Sequence, residues 1–270
     1  MAAWCLQSPP QARPVKRDFG ETAIALNRRI NFAVFAICHI ATGQAPTADQ
    51  PNPLPGTSTP VAPSAFQARL NAVDDKMAKV ETLRADFEQR KKTALLKKPM
   101  VSQGGLVCKG DTVLWKTTSP RESAMLVTDA SVTVLYVENG LAEVYPIGEN
   151  SEGLAGGPLP RLAKLVQLFT ITEARIDAMP SPHDTADPAR HLAFTLTPIS
   201  AELKAHVATI TVLIDERIPC ASLVVIADPD GDETQVRFSN VRINTPLSES
   251  ELRLNLPVGT RVSHPVGEAE

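Results

Sequence analysis

The sequence has few aromatic residues, few cysteines and no apolar run of membrane-spanning length. Phe, Trp and Tyr make up 4% of its 270 residues. Its clearest apolar run, residues 30–41, is shorter than the roughly 20 residues that a transmembrane helix needs. The four cysteines, Cys5, Cys38, Cys108 and Cys220, include no Cys-x-x-Cys pair and no zinc-type spacing with histidine. A structural metal site is therefore not expected.

An excess of positive charge and a nucleophile motif are also lacking. The formal net charge is -3, and removal of residues 1–44 leaves 22 Lys and Arg against 28 Asp and Glu. A nucleic-acid groove is therefore not expected. No Gly-x-Ser-x-Gly motif is present, and no nucleophile can be named with a base beside it. We predict that the protein is not an enzyme and has no catalytic residue, metal or cofactor.

Residues 1–45 have the features of a signal peptide region. Arg28 and Arg29 precede the apolar run, and Gly43 and Ala45 stand at the -3 and -1 positions of a cleavage site. The 27 residues before Arg28 make an unusually long leading segment, which suggests a misassigned start with translation beginning at the position of Leu26. We expect export to the periplasm with cleavage of the signal peptide.

The rest of the chain divides into a linker, a folded domain and a short tail. Residues 46–63 contain six prolines and almost no large apolar side chain, so they predict a disordered linker. The folded domain is expected at residues 64–265, followed by a tail at 266–270.

Two segments have helical spacing of apolar residues. Ser64 and Gln67 fit a capping box at the start of the first helix. Its apolar face would carry Phe66, Leu70, Val73, Met77 and Val80. A second covering helix is predicted from Leu159, Leu162, Leu165, Val166 and Phe169. Each helix would cover either an ordinary core or a ligand cavity, because periodicity does not separate the two.

Most of the remaining domain alternates with the period of a β-strand. Strands are predicted at 124–129, 131–140, 141–148, 191–198, 208–216 and 233–244, with a hairpin tip at 228–232. A phase slip at Ser239 and Asn240 predicts a β-bulge. Leu252, Leu254 and Leu256 predict one more strand. Successive strands with short turns indicate an antiparallel sheet.

The order of these motifs resembles that of the LolA family, periplasmic carriers of outer-membrane lipoproteins, over nearly all of residues 64–265. The resemblance begins with Phe87 and Gln89 in an FxQ motif and continues through Trp115 and Pro120 in GGLVCKGDTVLWKTTSP. It also includes Asp129, in a turn between paired strands, and the sequence FTLTP in the last third of the chain. Its most specific part is FSNVRINTPLSESELRLNLPVGTRV, in which the matching residues are Phe238, Asn244, Leu247, Pro257 and Gly259.

The resemblance implies a mostly β (α+β) fold, an incomplete and strongly curved antiparallel β-barrel with covering lid helices. It implies a monomeric carrier that takes lipoproteins from an inner-membrane transporter to an outer-membrane receptor, holding their acyl chains in an apolar cavity. The family's lid-contacting Arg, followed by Pro, corresponds here to Lys109 followed by Gly110. Lys keeps the charge but lacks the planar donor fork, so a latch at Lys109 would be weaker or different.

Ten apolar residues are candidates for the cavity lining, and each could equally be ordinary core: Phe87, Val113, Trp115, Leu126, Leu165, Phe169, Phe194, Ile210, Val212 and Phe238. Cys108 and Cys220 would survive export. They are expected either to pair as a disulfide or to serve as small core residues.

Three other functions stay open from the sequence. The Lys109 difference and the low aromatic content would suit a glycolipid carrier or an envelope lipid sensor on the same fold. An envelope hydrolase is a remote alternative, and a structural β-domain with a filled core is the last.

Overall fold

The computed structural model of the chain describes residues 64–147, 161–179 and 189–265. The predictions for residues 1–45, 46–63 and 266–270 fall outside the described residues. The described helices are α1 (Ala65–Met77), α2 (Leu162–Leu168) and α3 (Ala201–Lys204), with 3-10 turns at Val137–Asn139, Ile176–Ala178 and Glu249–Leu252. The strands are β1 (Thr82–Lys92), β2 (Met100–Lys109), β3 (Thr112–Ser119), β4 (Ser123–Val127), β5 (Ser131–Tyr136), β6 (Leu141–Pro146), β7 (Phe169–Glu173), β8 (His191–Pro198), β9 (Thr209–Asp215), β10 (Ala221–Ala227), β11 (Glu233–Ile243) and β12 (Arg261–Ser263).

The twelve strands form one open, curled sheet. Their order is β12-β6-β5-β4-β3-β2-β1-β11-β10-β9-β8-β7. Ten of the eleven pairings between described strands are antiparallel, and β12 runs parallel to β6. The predicted fold, mostly β with an incomplete, curved antiparallel barrel and covering helices, is confirmed.

Alternation of apolar and polar residues explains why these segments form strands with two different faces. In β1, Leu83, Ala85 and Phe87 are buried, whereas Arg84 and Glu88 are only partly buried. The hairpin tip predicted at 228–232 joins β10 to β11, with Gly231 at φ +85°.

The bulge predicted in β11 is confirmed. Opposite it, the register of β1 shifts between Arg84 and Asp86, which pair with Arg242 and Ser239. Asn240 takes up the extra residue with a φ of 52°, a conformation that asparagine tolerates better than most side chains.

Helix α1 begins as predicted, but only half of its capping box forms. The Ser64 hydroxyl accepts from the Gln67 amide at 3.2 Å. The Gln67 side chain donates instead to Asn71, one turn further on. Leu70 and Val73 of this helix are buried against the sheet, which favours its docking by about 1.5 to 3 kcal/mol for each side chain.

Helix α2 is shorter than the helix that the apolar spacing predicted. Leu162 and Leu165 lie on it, but Phe169 is the first residue of β7 and pairs with Pro198. The apolar spacing continues across the junction because Phe169 and Leu165 pack into one cluster from two different elements. Leu159 lies outside the described residues.

The strand predicted from Leu252, Leu254 and Leu256 is wrong. Residues 245–260, here called the strap, contain one 3-10 turn (Glu249–Leu252), and the last strand is β12. The strap leads from β11 past the five strands that separate β11 from β6, and ends at β12 beside β6. The strap still alternates between buried and exposed side chains, because Leu252 is buried and Arg253 is exposed, although these residues pair with no described strand.

Candidate functional site

The strand registers place a continuous apolar surface on one face of the sheet, here called the interior face. Phe87 of β1 is level with Phe238 of β11 and with Gly104 of β2. The Trp115 ring meets Phe87 edge-on at 5.1 Å between centroids and lies 5.8 Å from Phe238. These contacts join strands β1, β3 and β11 through their aromatic side chains.

Gly104 makes room for this aromatic group. A Cβ atom at position 104 would lie 1.9 Å from the Lys116 carbonyl oxygen and 2.9 Å from Phe87 Cε1. Only a residue without a side chain fits there, so β2 and β3 can approach closely beneath the Phe87 ring.

The interior face continues towards the other edge of the sheet, under the helices. Phe194 is level with Val212 on β9, and both are buried. Leu70 and Val73 of α1 and Leu165 of α2 belong to the same apolar cluster. We call α1 and α2 the lid helices because they cover this part of the face.

The structure brings nine of the ten candidate lining residues together. The following lie on the interior face or pack onto it: Phe87, Val113, Trp115, Leu165, Phe169, Phe194, Ile210, Val212 and Phe238. All but Phe238 are at most 8% exposed. A ligand would reach them only by displacing the groups that cover them. Leu126 lies on the opposite, outer face, because Met125 and Val127 point inward.

Arg69 and Lys76 attach α1 to the turn between β9 and β10. The Arg69 guanidinium donates to the Glu216 carboxylate from Nε at 3.0 Å and to the His191 carbonyl from Nη2 at 2.8 Å. Lys76 Nζ donates to the Glu216 carbonyl at 2.6 Å. The turn between β9 and β10 therefore binds helix α1 at two residues, Arg69 and Lys76. Both contacts lie at the rim of the sheet and not in the apolar interior.

Asp74 joins the two lid helices. Its carboxylate accepts from the Arg161 guanidinium at 2.8 and 2.9 Å and from the Leu162 amide at 2.9 Å. The Leu162 amide is at the N-terminus of α2, where backbone donors otherwise lack partners. Arg161 holds the pKa of Asp74 below its ordinary value. The lid is therefore two helices connected through one carboxylate.

Sequence reasoning missed the residues that attach the lid. Arg69 and Asp74 could have been noticed as charged neighbours of the apolar stripe on α1. Their partners, Glu216 and Arg161, are 147 and 87 residues away in the chain, and no local pattern connects them.

Lys109, the predicted lid latch, lies on the outer face and pairs with Glu249 of the strap. Arg84 likewise pairs with Glu251, and this contact lowers the pKa of Glu251 to about 2. Both pairs are exposed to solvent, so each contributes little to stability. Lys109 thus contacts the strap and not the described lid helices.

A groove of about 980 Å³ lies between the strap and the outer face. Val80, Leu126, Leu252 and Leu254 line it with apolar atoms, and Lys109 stands at its rim. Val80 also packs against the interior cluster, so the groove and the interior meet at this residue, whereas Leu126 reaches the groove from the outer face.

Cys108 and Cys220 are buried free thiols in one interior cluster. Burial raises the pKa of both, so neither is activated as a nucleophile. In the described part of the chain, no group of three His, Cys, Asp or Glu side chains is placed to hold a metal ion. Within the same ranges, no helix has the length and apolar character needed to cross a bilayer.

No family model and no curated protein matches the chain. It is similar to several solved structures. An uncharacterized conserved protein from Thermus thermophilus is 12% identical at a TM-score of 0.45, over 74% of this chain and 99% of that one. A LolA superfamily protein from Nitrosomonas europaea is 10% identical at a TM-score of 0.38, over 70% and 97%.

A putative outer membrane lipoprotein-sorting protein domain from Vibrio parahaemolyticus is 12% identical at a TM-score of 0.38, over 73% of this chain and all of that one. The strand order and register of the chain itself define its fold.

Proposed function

We propose that the protein is a periplasmic carrier that shields the acyl chains of lipoproteins in its interior and moves them from the inner to the outer membrane. The observation that supports this best is the continuous apolar interior face, covered by helices whose charged contacts lie at the rim. A cover attached in this way can leave the face while its polar groups exchange protein partners for water.

The chemistry of the interior suits an acyl chain. Aliphatic and aromatic side chains line it, and each methylene group moved there from water contributes about 0.8 kcal/mol. The lining side chains are buried in this state, so uptake in our proposal requires the lid to move and the ligand to replace its contacts.

The partners and the location follow from the same proposal. The resemblance in sequence motifs suggests an inner-membrane lipoprotein transporter as donor and an outer-membrane receptor as acceptor. Export would depend on residues 1–45, and the signal peptide would be removed.

A second candidate is a carrier of glycolipids, or a lipid sensor, on the same fold. It is favoured by Lys109, which stands where the resembling family has its latch arginine and which pairs with the strap. Competition between a triacylated lipopeptide and a glycolipid for the interior would distinguish the two candidates.

The test is native mass spectrometry of the protein isolated from an envelope fraction, with a fluorescence titration. Trp4 lies within residues 1–45, which are removed on export in our proposal, so the fluorescence of the mature protein reports on Trp115 alone. We expect co-purified acyl species and a saturable change on addition of a palmitoylated lipopeptide. A ligand-free mass with no fluorescence response would contradict the proposal and favour a filled core.

A matched pair of variants tests the location of the ligand. Phe238 and Leu126 are both partly buried, but Phe238 lies on the interior face and Leu126 on the outer face. We expect Phe238→Ala to weaken lipopeptide binding and Leu126→Ala to leave it unchanged. Equal effects of the two would place the ligand elsewhere.

A further inference from the structure

The hairpin between β1 and β2 ends in two exposed leucines. Leu95 is 82% exposed and Leu96 is 40% exposed, in a loop that runs from Thr93 to Pro99. Neither side chain covers the interior face or the outer groove. Two adjacent leucines in water are unfavourable unless another apolar phase receives them.

The loop has a defined shape at its base. The Leu96 amide donates to the Thr93 carbonyl at 3.3 Å, which closes a turn. The Ala94 amide donates to the Asp232 carboxylate at 3.3 Å, which fixes the loop to the neighbouring hairpin. The leucines are therefore held outward at the end of two long paired strands.

Three exposed lysines flank the leucines. Lys92 precedes the turn, and Lys97 and Lys98 follow it directly. The acidic tip of the next hairpin is nearby, but its Asp228 and Asp232 carboxylates lie 3.8 and 3.9 Å from the buried Lys91. Glu233 is level with Lys92 in the register. Asp230 of that tip is exposed, so the two lysines beside the leucines, Lys97 and Lys98, face one further carboxylate and leave an excess of positive charge.

We propose that this hairpin tip is a membrane contact that inserts Leu95 and Leu96 into the headgroup region of an anionic phospholipid bilayer. Lys97 and Lys98 would meet lipid phosphates, whose negative charge they complement. Two leucines offer too little area for a stable protein interface, whereas a lipid surface needs no shaped partner. This inference does not rest on the proposed carrier function, because it concerns the tip and not the interior.

The direct test is a tryptophan placed at the tip of the full-length chain. In a chain that also carries Trp4→Phe and Trp115→Phe, so that the introduced residue is the single tryptophan, Leu95→Trp should shift its emission to the blue on addition of phosphatidylglycerol–phosphatidylcholine vesicles, and brominated lipids in those vesicles should quench it. Ile218→Trp is the matched control. Ile218 is a partly exposed apolar residue in the turn between β9 and β10, at the end of β10 that lies away from the acidic hairpin tip. It should show neither change. A position-specific signal also separates the tip from any binding by residues 30–41.

Vesicle co-sedimentation measures the affinity. Leu95→Ser combined with Leu96→Ser should weaken binding by about tenfold or more. Lys97→Gln combined with Lys98→Gln should weaken binding to anionic vesicles, by about fivefold for each lysine, and should leave binding to neutral vesicles unchanged. All these positions are exposed, and unchanged melting temperatures would confirm folding. An unshifted, unquenched signal from the tryptophan introduced by Leu95→Trp would overturn the inference. Binding of the tip to a protein, with no binding to vesicles, would overturn it as well.

Discussion

At the scale of single residues, the close approach of the Lys116 backbone and the Phe87 ring to position 104 leaves room only for glycine. Gly104 and Gly105 are adjacent on β2, but their surroundings differ. A Cβ atom at position 105 would have its nearest neighbours at 3.6 Å, which is ordinary contact. The pair therefore offers a comparison in which strand propensity is the same and only the space differs.

We predict that Gly104→Ala destabilises the protein by about 2 to 3 kcal/mol, because the new methyl group overlaps the Lys116 carbonyl and the Phe87 ring. Gly105→Ala should change the free energy of unfolding by less than about 1 kcal/mol. Thermal unfolding would show the difference as several degrees. Equal melting temperatures for the two variants would contradict the close packing of β2 against β3 at Gly104.

The interior face could be predicted where strands alternate cleanly and not where apolar residues run together. Leu192, Phe194 and Leu196 alternate with smaller residues, and the structure places all three in one cluster. Leu126 stands in the apolar sequence AMLV, where either phase fits the pattern. The choice depends on pairing with β3, where Leu114 is itself buried on the outer face.

At the scale of elements, the strap shows why a correct pattern can predict the wrong structure. Alternating burial requires only that one side of a segment faces apolar atoms. The strap meets this condition by lying along the sheet, with Leu252 against it, so no partner strand is needed. The path of such a segment depends on where its ends are fixed.

The beginning of the strap is fixed by Asn244. Its side-chain oxygen accepts from the Glu81 amide at 2.8 Å, and its side-chain nitrogen donates to the Lys79 carbonyl at 2.9 Å. Its φ of 53° is unfavourable for alanine. Asn240 is the natural comparison, with φ 52° and one described side-chain bond, to the Asp86 carboxylate.

We predict that Asn244→Ala lowers the free energy of unfolding by about 2 to 3 kcal/mol, because two backbone groups lose their partners in addition to the conformational cost. Asn240→Ala should cost about 1 kcal/mol, chiefly the conformational part. Urea unfolding of both variants would measure the difference. Equal costs would mean that the Asn244 side chain does not hold the strap.

The lid offers a second prediction at this scale. Asp74→Asn would remove the charge that holds Arg161 and weaken the acceptor for the Leu162 amide, so α1 and α2 should separate more often. We expect faster hydrogen exchange in both lid helices, by about fivefold to thirtyfold, which corresponds to about 1 to 2 kcal/mol. Exchange in β3 and β4 should not change.

Asp75→Asn is the control for this variant. It makes the same chemical change at the next, exposed position of α1. Asp75 accepts no described hydrogen bond from Arg161 and acts on it only through longer-range charge attraction, so exchange in α2 should rise much less than with Asp74→Asn. Equally fast exchange in α2 with Asp75→Asn would show that general loss of helix charge, and not the Asp74 contact, loosens the lid.

At the scale of the whole molecule, the mostly β class and the covering helix α1 could be predicted from periodicity, but the closure of the sheet could not. Neighbouring strands in the chain usually pair, which gives β1 to β6 and β7 to β11 as two antiparallel series. The pairing of β1 with β11 joins these series, and its partners Phe87 and Phe238 are far apart in the chain. No local pattern specifies that contact, and the curved, incomplete barrel was expected only from the resemblance in motif order.

The charged contacts of the molecule also give its stability a definite dependence on pH. Ion pairs lower the pKa of five described carboxyl groups, those of Asp74, Glu88, Asp215, Glu249 and Glu251. A group whose pKa is lower in the folded state stabilises it above the ordinary carboxyl pKa and loses that effect as the pH falls. Asp228 has the opposite sign, because burial raises its pKa.

We predict that the melting temperature falls as the pH decreases from about 4.5 to 2, since five groups outweigh one. Asp215 should contribute clearly, because hydrogen bonds from Arg217 lower its pKa to about 2. Asp215→Asn should therefore be less stable than the wild type at pH 7, and the two should converge near pH 2. Asp228→Asn gives the opposite trend, since the wild type gains stability relative to this variant as Asp228 takes up its proton. Parallel melting curves for wild type and Asp215→Asn across this range would show that the Arg217 contact does not stabilise the fold.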